Sequence, residues 1–471
     1  MNPVRELTAS ADLLAMHDAW PERYPFLLES VEGTNAQARY DLLFALPGET
    51  LRLEAGGRLA APPDVPLGDG FLDSLDLWWS RERAGAGAAP FAGGWFLYLG
   101  YELAAEIEPG LQLTAPAGLP VALATRVRGA LIRDRQSGRS WAVAEPGSEG
   151  SLDRMAADAG TARSGADEGG PALAGAAAEE PAEDYLAAVA EAKAHIAAGD
   201  VYQANLSRLW HGRLADGMTP SIIYRRLRRA NPAPFAGLMR VGRHSVISSS
   251  PERLLRLADG TASTRPIAGT RPRGASRQDD RALSAELLAH PKERAEHVML
   301  IDLERNDLGR ICRPGTVRVD EMMTIETYRH VHHIVSNVTG ELEAGVTPGD
   351  AIAAVFPGGT ITGCPKVRCM QIIAALESGP RGAYTGSFGY LSRDGKLDLN
   401  ILIRTVVTDG TELTLRAGAG IVADSEPERE LAETRAKAKG LLLALGQGQG
   451  KGQGQGQGEG QAQGKGHGGA A

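Results

Sequence analysis

The sequence predicts an α+β fold in which antiparallel sheets are covered by flanking helices, with the N-terminal part packed onto them. Between residues 183 and 445, short apolar runs alternate with longer amphipathic stretches, which indicates strands and helices in mixed order. The dipeptides Asp394-Gly395 and Asp409-Gly410 each separate two strand-like runs and are typical of hairpin turns. Because hairpins join antiparallel neighbours, these signals favour antiparallel sheets over parallel βαβ units.

Composition divides the chain into four segments. Residues 1–142 form an N-terminal subdomain with strand-like runs. Residues 143–181 are mainly Ala, Gly, Glu, Ser and Pro, which predicts a flexible linker or loop. Residues 182–445 form the predicted catalytic domain. Residues 446–471 repeat Gly-Gln and Gly-Lys, a low-complexity pattern that predicts a disordered tail.

The elements follow from periodicity and from end signals such as proline in a first helical turn. Strand-like alternation in the first segment covers 39–44 and 95–99. In the long segment we expect helices at 183–198, 221–230, 277–288, 292–305, 348–354, 365–376 and 427–445. Strands are expected at 244–249, 254–257, 334–342, 386–391, 401–408 and 413–417.

Size and charge exclude several function classes. The chain has 471 residues and a net charge of −8, and it lacks the basic face with interleaved aromatics that nucleic-acid binding needs. We find no apolar run long enough to cross a bilayer and no signal-peptide pattern, so we expect a cytoplasmic protein without membrane contact. The three cysteines form no Cys-x-x-Cys pair, and their odd number gives no disulfide framework.

Two Glu-x-x-Glu pairs lie on predicted helices more than a hundred residues apart. They are Glu293 with Glu296, and Glu430 with Glu433. A spacing of three residues places both carboxylates on one helix face, where like charges repel. Four carboxylates from two helices would offer the hard oxygen ligands that Mg²⁺ prefers. The alternative interpretation is two solvated helix faces.

Several motifs occur in fixed order between residues 250 and 425. They are Ser-Pro-Glu-Arg at 250–253, Pro-Ile-Ala-Gly-Thr at 266–270, Glu-Arg-Ala-Glu-His-Val-Met-Leu at 293–300, Asp-Leu-Glu-Arg-Asn-Asp-Leu-Gly-Arg at 302–310, Val-His-His-Ile-Val-Ser at 331–336, Phe-Pro-Gly-Gly-Thr-Ile-Thr-Gly-Cys-Pro-Lys at 356–366, Ile-Arg-Thr at 403–405 and Ala-Gly-Ala-Gly-Ile-Val-Ala-Asp-Ser at 417–425. With these motifs the chain resembles the chorismate-utilising enzymes. The resemblance implies the large antiparallel chorismate-binding fold of that family.

The resemblance also implies a magnesium site. One Mg²⁺ would join the acidic helices to the ring carboxylate of chorismate. Glu296 and Glu433 would be direct ligands, and Glu293 and Glu430 would hold coordinated waters, which suits an ion that keeps part of its hydration shell. The ion would fix the carboxylate and withdraw charge from the ring.

Further residues would bind the substrate by the same resemblance. Arg404 would grip the enolpyruvyl carboxylate, and Tyr384 would donate a hydrogen bond to it. The run Gly418-Ala419-Gly420 would let backbone N–H groups approach an anion. Lys437, one helical turn beyond Glu433, would share the carboxylate on the metal side.

The implied chemistry is loss of the ring hydroxyl, which leaves poorly unless it is protonated. The resemblance assigns the proton to Glu252 as general acid. The alternative for Glu252 is a partly buried salt bridge with Arg253 or another base. Thr270, His333 and Thr360 match active-site positions, although a lone histidine is often structural.

One position separates two sub-families. Many aminodeoxychorismate synthases carry a nucleophilic lysine in the third place of Pro-Ile-x-Gly-Thr, whereas this chain has Ala268, as anthranilate synthases do. Ammonia would then add to the ring directly. The motifs around His332, at 202–206, at 361–368 and at 386–392 resemble aminodeoxychorismate synthases instead.

The first interpretation is therefore component I of aminodeoxychorismate synthase, which aminates chorismate with ammonia from a glutaminase subunit on the route to 4-aminobenzoate and folate. The alternative is anthranilate synthase component I, which belongs to tryptophan biosynthesis. A third interpretation, from another class, is a non-catalytic regulator that binds chorismate or tryptophan. It would require a lost catalytic residue.

The N-terminal segment also resembles the tryptophan pocket of these enzymes. Leu28 and Ser30 would form one wall, and Pro234 and Phe235 the other. The pocket would hold tryptophan as a feedback inhibitor or as a structural ligand. Ordinary core packing is the alternative.

Overall fold

A computed structural model of the chain describes residues 3–7, 11–31, 39–87, 89–163, 165 and 169–447. The predicted disordered tail at 446–471 lies outside the described residues from position 448 onward. In the part that is described, no helix is both long and apolar enough to cross a membrane. The three cysteines, Cys312, Cys364 and Cys369, are free thiols.

Twenty-one strands occur among the described residues. They are β1 (Val4–Glu6), β2 (Phe26–Glu29), β3 (Tyr40–Leu53), β4 (Leu59–Ala60), β5 (Gly94–Leu99), β6 (Ala122–Asp134), β7 (Ser140–Ala144), β8 (Ala178–Glu179), β9 (Gln203–Arg213), β10 (Phe235–Val241), β11 (His244–Ser250), β12 (Arg253–Ala258), β13 (Thr261–Arg265), β14 (Ile267–Pro272), β15 (Arg318–Thr327), β16 (Val331–Glu341), β17 (Gly363–Cys364), β18 (Ser387–Ser392), β19 (Leu397–Asn400), β20 (Thr405–Asp409) and β21 (Glu412–Ile421).

The described helices begin with three short or medium ones in the N-terminal part and lengthen towards the C-terminus. They are α1 (Leu13–Ala19), α2 (Phe71–Glu82), α3 (Ala104–Ile107), α4 (Gly150–Thr161), α5 (Ala182–Ala197), α6 (Pro220–Ala230), α7 (Arg277–Ala289), α8 (Pro291–Gly309), α9 (Pro348–Val355), α10 (Lys366–Leu376) and α11 (Pro427–Ala444), with single 3₁₀ turns at Tyr101–Leu103 and Gly359–Ile361.

All strand pairs are antiparallel, and strand β6 joins two branches of the sheet. One edge of β6 pairs with β3, and its other edge pairs first with β5 and then with β7. From β3 one branch continues through β2, β10, β11, β20 and β21 to β9. From β5 the other continues through β18, β19, β12 and β13 to β16. The large antiparallel sheet of the predicted α+β fold is thus confirmed.

The two branches face each other across an aromatic layer. Phe26 of β2 stacks on Phe96 of β5, with ring centroids 4.1 Å apart, and Phe388 of β18 packs against Phe96. Helices cover the outer faces: α2, α8 and α9 pack on the branch that contains β5, and α1, α6 and α11 pack on the branch that contains β2. This layering of helices outside two sheets buries both faces of most strands.

The boundary predicted at residue 142 does not separate two sheets. Strand β2 pairs with β10, and β5 pairs with β18, so N-terminal strands are built into the same sheet as catalytic-domain strands. The N-terminal part therefore does more than pack onto the catalytic domain: it supplies the strands that join the two branches.

The structure corrects the prediction of a flexible linker over 143–181. Residues Gly150–Thr161 form helix α4, and Ala178–Glu179 pair with β9. Met155 is buried against the core, and the Asp158 carboxylate accepts a hydrogen bond of 2.7 Å from the Tyr24 hydroxyl. These few anchoring side chains order a segment whose composition is otherwise typical of linkers.

The strand predicted at 401–408 begins four residues late, at Thr405. Arg404 has a φ of +51°, a left-handed conformation that a strand cannot contain. The chain turns there, and this turn presents the arginine that the sequence predicts to bind substrate.

Candidate active site

Glu252 lies in the turn between β11 and β12, and its side chain is buried. Its carbonyl accepts a hydrogen bond from the Ile401 N–H, and its own N–H donates to the Ser250 hydroxyl. The Oε1 atom has no hydrogen-bond partner among the described residues. The neighbouring Arg253 pairs with Asp398 at 2.9 Å.

Burial raises the pKa of Glu252 to about 7, far above that of an exposed carboxyl. The Thr360 side chain, the Ile267 backbone, Lys437 and Arg404 all act in the opposite direction. Since the opposing groups do not prevail, Glu252 holds its proton near neutral pH. A carboxyl of this kind is suited to general acid catalysis.

His333 lies on β16 and is likewise buried. Its Nδ1 atom lies 3.2 Å from the Gly269 carbonyl and 3.0 Å from the Thr270 hydroxyl. A carbonyl can only accept, so Nδ1 carries the proton and Nε2 is the basic atom. Burial and the nearby Arg404 lower the pKa of His333 to about 3, which keeps the ring neutral.

The Thr360 hydroxyl is buried in the turn Gly359–Ile361, and no described residue hydrogen-bonds to it. It is close enough to Glu252 to favour the charged form of that carboxyl. Thr360 and Glu252 thus each bring a buried polar atom without a protein partner to one place. Buried polar atoms of this kind are often paired only when a ligand binds.

Ala268 lies on β14, paired with Ile334 of β16, and its methyl group is buried. Gly269 has a φ of +66°, and a Cβ there would come within 2.9 Å of the Glu293 carboxylate. Strand β14 thus runs directly beneath helix α8. The alanine at position 268 offers no nucleophile there.

Arg404 and Tyr384 flank the other side of the site. The Arg404 guanidinium donates to Asn231 Oδ1 at 3.2 Å and is close enough to Glu252 to affect its pKa. Burial lowers the pKa of Arg404. The Tyr384 hydroxyl lies 2.8 Å from the point that a Cβ on Gly418 would occupy, and burial raises its pKa to about 12. Arg404 is therefore a cation, and Tyr384 a neutral donor, at neutral pH.

The predicted glycine run lies on β21, next to Tyr384. Residues 416–421 of β21 pair with β9 on one edge, whereas β20 pairs on the other edge only as far as Leu415. Beyond that point the described ladders leave the second edge of β21 unpaired. The run Gly418-Ala419-Gly420 therefore has backbone groups beside a site where side chains are small.

Sequence reasoning missed Gln203 and Asn205 on β9. Alternation along a strand places both side chains on one face. A Cβ on Gly420 would collide with the Gln203 amide, and a Cβ on Gly418 would lie 3.0 Å from Asn205 Oδ1. Gln203 Oε1 and Asn205 Oδ1 are buried without hydrogen-bond partners among the described residues. The two amide side chains at alternate positions within the 202–206 motif were the available signal.

The two acidic pairs face one another across helices α8 and α11. Burial and the charge of Glu293 raise the pKa of Glu296, and Glu433 adds to the shift. Burial also raises the pKa of Glu430, and again Glu433 contributes. The effect of Glu433 on Glu296 crosses from α11 to α8, so the carboxylates of the two helices lie near one another in an acidic cluster.

Two carboxylates of this cluster form ion pairs with basic side chains. Glu293 pairs with Arg271 at 3.1 Å, and Glu433 pairs with Lys437 at 2.8 Å. In the described residues, no three acidic, histidine or cysteine side chains are gathered closely enough to hold a metal ion as they stand. The donor chemistry nevertheless fits Mg²⁺, because the cluster offers carboxylate oxygens from two neighbouring helices.

The predicted tryptophan-pocket residues line a separate cavity of about 450 Å³. Leu28 and Ser30 lie on one side, and Pro234 and Phe235 on the other. The Arg253 guanidinium stacks over the Phe235 ring at 4.7 Å. The four residues thus line part of one cavity, and tryptophan binding there stays a prediction.

Comparisons with known proteins agree with this architecture. The profile of the chorismate binding enzyme family matches residues 68–443. Anthranilate synthase component 1 of Cereibacter sphaeroides is 39% identical over 439 residues, which cover 87% of this chain and 86% of that protein. Aminodeoxychorismate synthase component 1 of Bacillus subtilis is 49% identical over 265 residues, or 56% of each chain.

A solved structure shows the same fold over most of its length. Anthranilate synthase component I from Streptococcus pneumoniae superposes with a TM-score of 0.75 at 30% identity, covering 87% of this chain and 93% of that one. The family match includes the turn that carries Glu252, the turn at Arg404 and both acidic helices. The chain therefore belongs to the chorismate binding enzyme family and is a chorismate-utilising enzyme.

Proposed function

We propose that the chain aminates chorismate at ring position 4, forming 4-amino-4-deoxychorismate with ammonia from a glutaminase subunit. The observation that carries the proposal is the buried Glu252 carboxyl, which is protonated near neutral pH and lies close to Arg404 and Lys437. A proton donor beside two cations is suited to expelling a hydroxyl from an anionic substrate.

The residues divide the work as follows. Arg404 and Tyr384 bind the enolpyruvyl carboxylate, and the open edge of β21 offers backbone N–H groups to it. Glu252 gives its proton to the ring hydroxyl, which leaves as water while the ring accepts ammonia. Glu252, left as a carboxylate, can take back a proton from the new ammonium group. The neutral His333 can accept a hydrogen bond at Nε2, and Thr270 holds the ring of that histidine in place.

We further propose that Glu293, Glu296, Glu430 and Glu433 hold one Mg²⁺. The ion would supply charge withdrawal from the substrate ring and a fixed point for its carboxylate. Lys437 and Arg271 already bring positive charge to this cluster. The positive charges of Lys437 and Arg271 would therefore offset the negative charge of a substrate carboxylate bound to the ion.

The preference for position 4 comes from the motifs around His332 and from the likeness to the Bacillus subtilis aminodeoxychorismate synthase. His332 is buried between Thr327 and Asp280, with nitrogen–oxygen distances of 2.8 and 2.9 Å. It supports β16 from behind the site, and it holds His333 only indirectly.

A second candidate function is anthranilate synthesis, which aminates position 2 and eliminates pyruvate. Two observations favour it: Ala268 stands where related enzymes carry a lysine, and the Cereibacter sphaeroides relative matches over 87% of this chain. A non-catalytic regulator would require a lost catalytic group. Glu252, His333, Thr360 and Arg404 are all present, so we do not propose that role.

Product analysis distinguishes the candidates. The purified chain is incubated with chorismate, ammonium chloride and Mg²⁺, and the products are separated by chromatography with fluorescence detection. We expect a product that a 4-amino-4-deoxychorismate lyase converts to 4-aminobenzoate, with pyruvate released only in that second step. Fluorescent anthranilate, with pyruvate released by the chain itself, would contradict position 4 and support the alternative.

A further inference from the structure

Thr385, directly after Tyr384, has a backbone conformation that a β-branched residue rarely adopts. Its φ is +60°, in the left-handed region that favours glycine. Its N–H donates to the Leu402 carbonyl at 2.8 Å, and the Leu402 N–H donates to the Gly386 carbonyl at 2.8 Å. Backbone strain of this kind persists only where the surrounding structure imposes it, and it concentrates at functional sites.

The Thr385 hydroxyl provides a link that glycine would lack. It donates to the Tyr384 carbonyl at 2.5 Å and accepts from Arg381 Nη1 at 3.3 Å. The Arg381 guanidinium also lies against the Tyr384 ring, 5.6 Å from its centroid. Thr385 and Arg381 therefore hold both the backbone and the ring of Tyr384.

A buried charge network fixes Arg381 in turn. Its guanidinium pairs with Glu377 at 2.6 Å and donates to the Asn205 carbonyl at 2.6 Å. Glu377 also pairs with Arg416 at 3.4 Å, and neighbouring arginines outweigh burial to lower the pKa of Glu377. Networks in which every charge is paired are rigid, because any movement leaves a buried charge uncompensated.

We infer that Thr385 is a positioning residue that fixes the Tyr384 hydroxyl over Gly418 for the substrate carboxylate. The Tyr384 hydroxyl lies 2.8 Å from the point that a Cβ on Gly418 would occupy. A shift of the Tyr384 ring towards Gly418 would therefore cover the unpaired edge of β21. The inference rests on the proposed function, in which Tyr384 donates a hydrogen bond to chorismate. It explains why a strained threonine occupies a position that glycine would relax.

The test is a set of steady-state measurements with chorismate and ammonium chloride on six variants. Thr385→Gly removes the strain and the hydroxyl, Thr385→Ala removes only the hydroxyl, and Thr385→Ser keeps it. Tyr384→Phe and the double variant with Thr385→Gly complete a double-mutant cycle. Leu46→Gly, at another left-handed residue on β3, is the control for strain relief far from the site.

We expect Thr385→Gly and Thr385→Ala to raise KM for chorismate about fivefold with kcat within about twofold, the effect of one loosened hydrogen bond in uniform binding. Thr385→Ser and Leu46→Gly should keep the wild-type KM. In the Tyr384→Phe background, Thr385→Gly should change KM no further.

Two results would overturn the inference. One is a wild-type KM in both Thr385→Gly and Thr385→Ala, and the other is an equal rise of KM for Thr385→Gly in both backgrounds. Failure of the proposed function looks different, because Tyr384→Phe itself would then leave KM unchanged. Thermal unfolding of each variant separates these effects from loss of fold: Thr385→Gly should unfold at or above the wild-type temperature.

Discussion

At the scale of single residues, Glu252 carries the chemistry, and its replacement gives the sharpest expectation. Glutamine keeps the size and polarity of the side chain but cannot deliver a proton. We therefore expect Glu252→Gln to lower kcat by roughly a hundred- to ten-thousandfold with little change in KM. Arg253→Lys is a suitable neighbour control, since Arg253 pairs with Asp398 outside the site. A fall in kcat of less than about fivefold would show that another group is the acid.

The raised pKa of Glu252 also predicts a pH dependence of stability. Folding raises this pKa from 4.5 to about 7, so the folded state holds a proton that the unfolded state releases. The stabilisation is complete below about pH 4.5 and is lost as pH rises through 7, with a total change of about 3 kcal/mol.

Glu252→Gln removes that dependence. In urea titrations, the free energy of unfolding of the variant should rise relative to wild type by about 3 kcal/mol between pH 5 and pH 9. Equal pH profiles for the two proteins would mean that folding does not raise the pKa of Glu252.

Ala268 predicts that no covalent intermediate forms. The buried methyl group of Ala268 is not a nucleophile, so we expect ammonia to attack the ring itself. Intact-protein mass spectrometry during turnover with ammonium chloride should show only the unmodified chain. A mass increase equal to chorismate minus water would reveal a nucleophile elsewhere, and peptide mapping would then locate it.

At the scale of elements, helices α8 and α11 act together through the acidic cluster. Glu296→Ala and Glu433→Ala should each lower turnover by at least about a hundredfold, because each removes a proposed ligand. Their metal-free stability should hold or rise slightly, since like charges no longer repel. Glu428→Ala, on the exposed face of α11, is the matched control.

Thermal unfolding with and without Mg²⁺ measures the same site without relying on activity. Wild type and Glu428→Ala should unfold at higher temperature when Mg²⁺ is added, because the ion binds only the folded state. Glu296→Ala and Glu433→Ala should lose most of that shift. An unchanged shift in both would place the ion elsewhere.

The elements also show which features sequence can predict. Helices with clear end signals, such as α6 and α9 with proline in the first turn, begin within a residue of their predicted starts. The strand at 401–408 was predicted too long because nothing in the local sequence reveals the left-handed Arg404. The Arg404 carbonyl accepts a hydrogen bond of 3.1 Å from the Ser249 N–H, and Ser249 is distant in sequence.

The same distinction applies to the candidate site. Spacing and motif order identified Glu252, His333 and Arg404, which the structure brings together. The partners that tune them could not be predicted, because Asn231 lies 173 residues before Arg404. The linker prediction failed for a related reason: composition describes the many small residues of 143–181, whereas Met155 and Asp158 decide its packing.

At the scale of the whole molecule, the two halves of the sequence share one sheet, and this predicts cooperative folding. Strand β2 pairs with β10, and β5 pairs with β18, so separation would expose strand edges on both halves. It would also expose the aromatic layer around Phe26, Phe96 and Phe388. We therefore expect residues 182–447 expressed alone to lack a cooperative unfolding transition, and the full chain to unfold in a single one.

Co-expression of residues 1–181 with 182–447 tests the cause of that failure. If missing strand partners are responsible, the two fragments should copurify and regain a cooperative thermal transition together with ammonium-dependent turnover. Phe96→Ala in the N-terminal fragment should weaken this reassembly, because it removes one ring of the stacked pair and leaves a cavity that costs about 3–5 kcal/mol. Leu67→Ala, at an exposed position of the same fragment, should not weaken it.

A folded, active 182–447 fragment would contradict the prediction that the two halves fold only together. It would mean that the catalytic strands fold without a partner from the N-terminal part, although strand β6 of that part joins the two branches that contain them.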